Sequence, residues 1–263
     1  MCRGGNLIYI LKGARDMKAI LASSIGGSIK VNGKRIPAIL IEENGLLNKI
    51  KSIWTENAKV MMICASPNNY DVNDSVYSCL KEAILMSGLS FSSFEMCDDR
   101  NEEIIERLGE MDAIILVGGH VPTQNTFMKK LYLKEKIENY NGIVIAWSAG
   151  SMNCAEIVYA GPELDGEATD PNYQRWISGL GLTKVNMLPH FQNLKDDVLD
   201  GFRLIEDITY ADSMGHEILA LNDGSYIVID DGIETLYGEA YSIKDGCQKQ
   251  ICKDGESLVL EIK

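Results

Sequence analysis

Ser148 stands in the stretch "VIAWSAGSMN", residues 144–153, where an apolar run ends abruptly on a tryptophan and a serine and small residues follow at once. A buried strand over 142–146 must there leave its sheet and become a helix within a couple of residues. Such a turn pushes its central side chain out at the carboxyl edge of the strands, where ligands of open α/β folds bind. Close approach of strand and helix demands small residues two positions either side of a nucleophile, as in G-x-S-x-G. Ala146 and Gly150 hold those positions here, with Ala149 next to the serine. A helix starting at Ala149 aims free N–H groups at the place where an attacked carbonyl oxygen becomes negative. The competing reading is a serine that only caps that helix.

A serine nucleophile needs a base, and the chain has three histidines: His120, His190 and His216. His190 lies in "NMLPHFQ", just after the apolar segment "GLGLTKVNML", so it falls at a strand end, where a partner for Ser148 belongs. The alternative is a lone histidine closing a strand. His216, in "SMGHEIL", reads as structural. A second oxyanion donor is offered by "LVGGH", in which a strand ends in Gly118 and Gly119, because glycine lets a backbone N–H approach a substrate oxygen closely. An ordinary turn between strand and helix would use the same residues.

The elements that must position these groups alternate from about residue 59 onward. "KVMMICAS" reads as a buried strand, residues 75–86 as a helix, "SSFEMC" as a strand and "NEEIIERLGEM" as a short amphipathic helix. "AIILVGG" is a third strand, "TFMKKLYLKEKIENY" a helix, and "GIVIAW" a fourth strand running into Ser148. Apolar strands separated by helices predict an α/β fold, a doubly wound and mostly parallel sheet flanked by helices. After about residue 215 the text changes. Asp-Gly pairs at 223/224, 231/232, 245/246 and 254/255 punctuate alternating apolar runs, which predicts antiparallel hairpins packed on one edge of the sheet. "GGSIKVNGKRI" reads as another hairpin, expected to pair with that tail. A single domain over 1–263 is expected, with residues 1–16 an N-terminal extension and Met17 a plausible true start.

Taken together, the paired glycines, Trp147-Ser148-Ala149-Gly150, Gly179-Leu180-Gly181-Leu182 and Pro189-His190-Phe191 resemble the peptidase E (peptidase S51) family. Asn125-Thr126-Phe127 is similar to the stretch that follows the family's glycines. The resemblance covers roughly residues 59 to 192. It implies a serine peptidase of the class I glutamine-amidotransferase-like fold, of the kind that includes aspartyl dipeptidases and cyanophycinases. Ser148 would then attack, His190 would carry the proton, and the N–H groups of Gly119 and Ala149 would hold the oxyanion. In this family the acid follows the serine and precedes the histidine. "GPELDGEATD" offers Glu163, Asp165, Glu167 and Asp170, and spacing favours Glu163 first and Asp165 second; the rest of the run is a solvated loop.

Two departures bear on substrate. Gly118-Gly119 is followed by His120-Val121-Pro122-Thr123-Gln124 rather than by the family's G-N-T, so a longer rim is expected, and Ala146 replaces the first glycine of the serine motif. Members that cut after aspartate need a cation; Arg175 and Lys184 qualify by position. His120, Gln124 and Asn125 could instead build a neutral, hydrogen-bonding pocket.

Bulk properties narrow the classes. A formal charge of −13 over 263 residues argues against a nucleic-acid surface. The apolar runs are too short to span a bilayer. Seven cysteines without a C-x-x-C pair suit reduced core thiols and a cytoplasmic protein. With no H-E-x-x-H pattern and no G-x-G-x-x-G after a strand, neither a metal nor an organic cofactor is expected. The expected partner is a small peptide, with a homodimer compatible. An esterase or unusual-amide hydrolase on the same triad, and a non-catalytic binding module of the same fold, are the alternatives. A glutaminase is disfavoured because its cysteine would stand where Ser148 is.

Overall fold

The computed structural model describes residues 17–261 of the chain. The expected N-terminal extension, residues 1–16, lies outside the described residues. The first half runs β1 (Lys18–Ala22), β2 (Gly26–Val31), β3 (Lys34–Leu40), α1 (Leu46–Ile53), β4 (Ala58–Ile63), α2 (Tyr70–Met86), β5 (Phe91–Cys97), a 3-10 helical segment (Glu102–Glu110), β6 (Ala113–Leu116), α3 (Val121–Lys130), α4 (Leu133–Ile137), β7 (Ile143–Trp147) and α5 (Ala149–Asn153). The second half runs β8 (Ile157–Tyr159), β9 (Trp176–Ser178), β10 (Asn186–Leu188), α6 (Phe191–Leu194), β11 (Val198–Leu199), β12 (Phe202–Arg203), a π-helical segment (Leu204–Thr209), β13 (Glu217–Leu221), β14 (Tyr226–Asp230), β15 (Ile233–Tyr237), β16 (Ala240–Lys244), β17 (Cys247–Cys252) and β18 (Ser257–Val259).

The main sheet has the order β18-β15-β14-β1-β7-β6-β4-β5. From β1 through β7, β6 and β4 to β5 all pairings are parallel, and from β1 outward to β14, β15 and β18 they are antiparallel. Parallel strands are covered on both faces, which is why β6 and β7 read as unbroken apolar runs. Alternate side chains still part between two cores, as the pleat requires. Ile114, Leu116, Val144 and Ala146 join the cluster on one face; Ala113, Ile115, Ile143 and Ile145 join the other.

The C-terminal hairpins are antiparallel, as expected, but they divide between two sheets. β14, β15 and β18 extend the main sheet, while β13, β16 and β17 build a second one with β10, in the order β10-β13-β16-β17. The expected pairing of the N-terminal hairpin with the tail is corrected: β2 and β3 pair with each other, and the Leu40 N–H donates to the Ser87 hydroxyl oxygen at the end of α2 at 2.9 Å. The helix expected over 126–140 is broken, because Tyr132 between α3 and α4 sits at φ 52°. Among the described residues no helix is long and apolar enough to cross a membrane.

Candidate active site

β7 runs parallel between β1 and β6 and ends on Trp147, opposite Ala22 of β1. The next residue, Ser148, has φ 52° and ψ −125°, a conformation an L-residue adopts only under constraint from its surroundings. Two bonds hold it there: the Ser148 N–H reaches the carbonyls of Ala22 and Ser23, each at 3.1 Å. α5 then folds back over β6 so closely that a Cβ on Gly150 would lie 2.2 Å from the Leu116 carbonyl oxygen. That contact explains the small residue expected two positions after the serine. Ser148 makes no side-chain capping bond to α5, so helix capping does not account for its hydroxyl.

His190 follows β10 and sits at φ 58°. β10 is parallel to β13, with Leu188 opposite Ala220, so the residues just beyond both strands emerge at one edge. Asp223 is one of them. Its Oδ1 lies 2.8 Å from Nδ1 of His190. The same carboxylate accepts the Ser23 hydroxyl on Oδ1 at 2.8 Å and the Gln192 amide on Oδ2 at 2.7 Å. Gln192 grips it twice, since its Oε1 accepts the Asp223 N–H at 2.9 Å. Burial alone would raise the Asp223 carboxyl, but the bonds from His190, Ser23 and Gln192 hold it below the usual carboxylate range. A carboxylate on Nδ1 fixes the tautomer in which Nδ1 carries the proton and Nε2 is the free base.

Ser23, just past the end of β1 and fully buried, ties the two halves together. Its carbonyl takes the Ser148 N–H, its hydroxyl oxygen takes the His190 N–H at 2.8 Å, and its hydroxyl donates to Asp223. Neither Ser23 nor Asp223 was singled out by sequence. In the sequence Asp223 is visible only as a turn residue of an Asp-Gly pair; the one available signal is a carboxylate two residues past an apolar strand.

The acid was expected before the histidine; the carboxylate in contact with the imidazole, Asp223, follows it. Glu163 instead accepts the Val121 N–H at a long 3.4 Å. It lines the same cavity as Ser148 and His190, and neighbouring walls push its carboxyl up to about 7, helped by nearby Glu167, while the residue itself is exposed. Asp165 is exposed. Glu167 closes its own loop, accepting the N–H groups of Glu163 and Leu164 at 2.8 and 3.0 Å. Asp170 accepts the Asn172 N–H.

Gly118 and Gly119 follow β6 beside the serine; a Cβ on Gly118 would stand 3.0 Å from the Ser148 Cβ, and one on Gly119 2.5 Å from the Ala65 Cβ. The rim is not lengthened as expected, because residues 121–125 wind into the first turns of α3. Gln124 and Asn125 are buried and internally satisfied, which corrects the substrate-binding expectation for both. The Gln124 amide donates to the Val117 carbonyl at 2.7 Å; the Asn125 amide donates to Asn153 Oδ1 and to the Ser178 carbonyl, both at 2.9 Å. They clamp α3 to α5. His120 is held by Thr123 at 2.7 Å and Glu167 at 2.9 Å, outside the cavity lining. Arg175 faces Asp212, 3.7 Å away, and the Tyr173 ring, while Lys184 lies in a separate depression with Glu217. His216 stacks on Trp176, ring centres 4.2 Å apart, in keeping with a structural role. Cys64 and Cys97 are buried, and burial pushes both thiols up to about 12, so they stay protonated.

A cavity of about 500 Å³ opens beside Ser148 and His190, a size suited to a small organic ligand. The model of peptidase family S51 matches residues 42–236 of the chain. Among solved structures, a candidate peptidase E protein from Listeria monocytogenes EGD-e is similar in fold, with a TM-score of 0.54 at 16% identity, over 89% of this chain and 98% of that one. At that identity the likeness speaks for the fold alone. No curated protein matches the chain.

Proposed function

The chain belongs to peptidase family S51, and from that premise we propose that it is a serine peptidase of small peptides using Ser148, His190 and Asp223. The observation that carries this reading is the 2.8 Å contact between His190 Nδ1 and Asp223, with Ser148 strained, uncapped and on the wall of the same cavity. In the reaction, Ser148 Oγ attacks the scissile carbonyl carbon while His190 Nε2 takes its proton. Asp223 holds the ring in the useful tautomer and stabilises the imidazolium. The N–H groups of Gly119 and Ala149 receive the developing oxyanion. The imidazolium then protonates the leaving amine, the C–N bond breaks, and an acyl ester on Ser148 remains. Water, deprotonated by His190, hydrolyses that ester and restores the serine. An ester substrate would follow the same course with an alcohol leaving in place of the amine.

A fluorophosphonate probe tests the assignment. Stoichiometric modification at Ser148, lost in Ser148→Ala and strongly slowed in His190→Ala, is expected. A folded protein that never labels would support the binding-module reading instead.

A further inference from the structure

Resting on the peptidase reading, we propose that the site selects short peptides with a free amino terminus and an apolar first side chain, rather than peptides beginning with aspartate. The argument starts from what surrounds the nucleophile. Apart from Ser148 and His190, the cavity wall is largely aliphatic, built from Met152, Leu188, Leu194, Leu199, Leu204 and Ile205. Its charged members are two carboxylates, Glu163 and Asp197, and among the described residues neither lysine nor arginine lines it. Of the two cations that position suggested, Arg175 lies 3.7 Å from Asp212 and outside the cavity lining, and Lys184 lines a separate depression.

Charge then selects. An aspartyl side chain next to the scissile carbonyl would bring a further acid into a space already lined by Glu163 and Asp197, in a chain already carrying −13. Desolvation and like-charge repulsion both oppose that. An aliphatic or aromatic side chain buries its surface against the six apolar residues instead. The amino terminus adds a second selection. In any peptide cut after its first residue, the α-nitrogen is separated from the attacked carbon by one carbon atom, so it must lie within the same cavity. An ammonium there faces Glu163, whose carboxylate is the cavity anion on the side of Val121. Pairing with an ammonium supplies the charge partner that the site otherwise lacks.

The experiment compares Leu-Ala, Phe-Ala, Asp-Ala and N-acetyl-Leu-Ala as substrates of the full chain and of Glu163→Gln. It is read by chromatography of released alanine, beside fluorophosphonate labelling of Ser148. Leu-Ala and Phe-Ala are expected to exceed Asp-Ala by at least about a hundredfold in kcat/KM. Acetylation is expected to cost the unmodified chain more than about tenfold, a loss that shrinks in Glu163→Gln because the variant's KM for free-amine substrates has already risen. Asp-Ala turning over as fast as Leu-Ala, or acetylation without effect, overturns the proposal while leaving the peptidase intact. Labelling at Ser148 with no turnover of any of the four peptides likewise overturns it and spares the hydrolase. No labelling and no turnover removes the peptidase reading, and this proposal with it.

Discussion

Replacing Asp223 with asparagine separates the acid assigned here from its rivals, and the hydrogen bonds around it say which way the new amide must turn. In the native site Oδ2 accepts from the Gln192 amide at 2.7 Å, while Oδ1 faces Ser23 and His190. Gln192 cannot readily flip to donate differently, because its own oxygen holds the Asp223 N–H at 2.9 Å. The asparagine oxygen must therefore stay on Gln192, and its NH₂ must point at Nδ1 of His190. A donor there forces Nδ1 to accept, moves the ring proton to Nε2, and leaves the imidazole without a free base for the serine. Loss of the tautomer in an otherwise intact triad costs on the order of 10⁴ in rate, about 5 kcal/mol of transition-state stabilisation. The assay is the second-order rate of fluorophosphonate labelling, which needs no knowledge of the substrate. Asp223→Asn is expected to slow labelling by about three to four orders of magnitude, while Glu163→Gln and Asp165→Asn stay within about tenfold. The reasoning also sets a pH limit. Asp223 is held below its ordinary value, so its contribution is fully present above the ordinary carboxylate range near pH 4 and fades only as pH falls through the depressed value. Asp223→Asn labelling at the native rate, or Glu163→Gln failing instead, would refute the assignment.

Ser23→Ala removes a donor to Asp223 and leaves the half-buried His190 N–H without its acceptor. Labelling is expected to slow by about tenfold to a hundredfold with a stability loss of about 1–3 kcal/mol, and an unchanged labelling rate would show that Ser23 does not position the triad. Gly150→Ala would drive a Cβ to 2.2 Å from the Leu116 oxygen and 2.7 Å from its carbonyl carbon. Backbone on both sides cannot yield cheaply, so about 3 kcal/mol of destabilisation is expected, visible as a fall in Tm of several degrees; a native Tm would mean the elbow is looser than described.

Much of this architecture was written in local pattern. The apolar runs at 58–63, 113–116 and 143–147 could only be covered strands, and their alternation with helices required a parallel arrangement. The small residues around Ser148 marked a tight turn, because strand and helix must nearly touch there. Local pattern has a short reach, however. An Asp-Gly pair at 223/224 carries the same message as those at 231/232, 245/246 and 254/255: each is a turn. What distinguishes Asp223 is that β13 lies parallel to β10 in a second sheet, while its turn crosses to β14 beside β1 in the first. That placement brings one turn carboxylate to His190 and to Ser23, residues 33 and 200 positions away. Gln124 and Asn125 show the converse. Their polarity suggested a pocket, yet whether an amide meets solvent or a buried carbonyl is decided by which helix packs over it. Sequence alone determined which segments must be covered and where the chain must turn sharply. Which covered segments lie side by side, and hence which acid meets the imidazole, was decided only by long-range packing, because hydrophobic burial is indifferent to partner until strands from distant parts of the chain are in register.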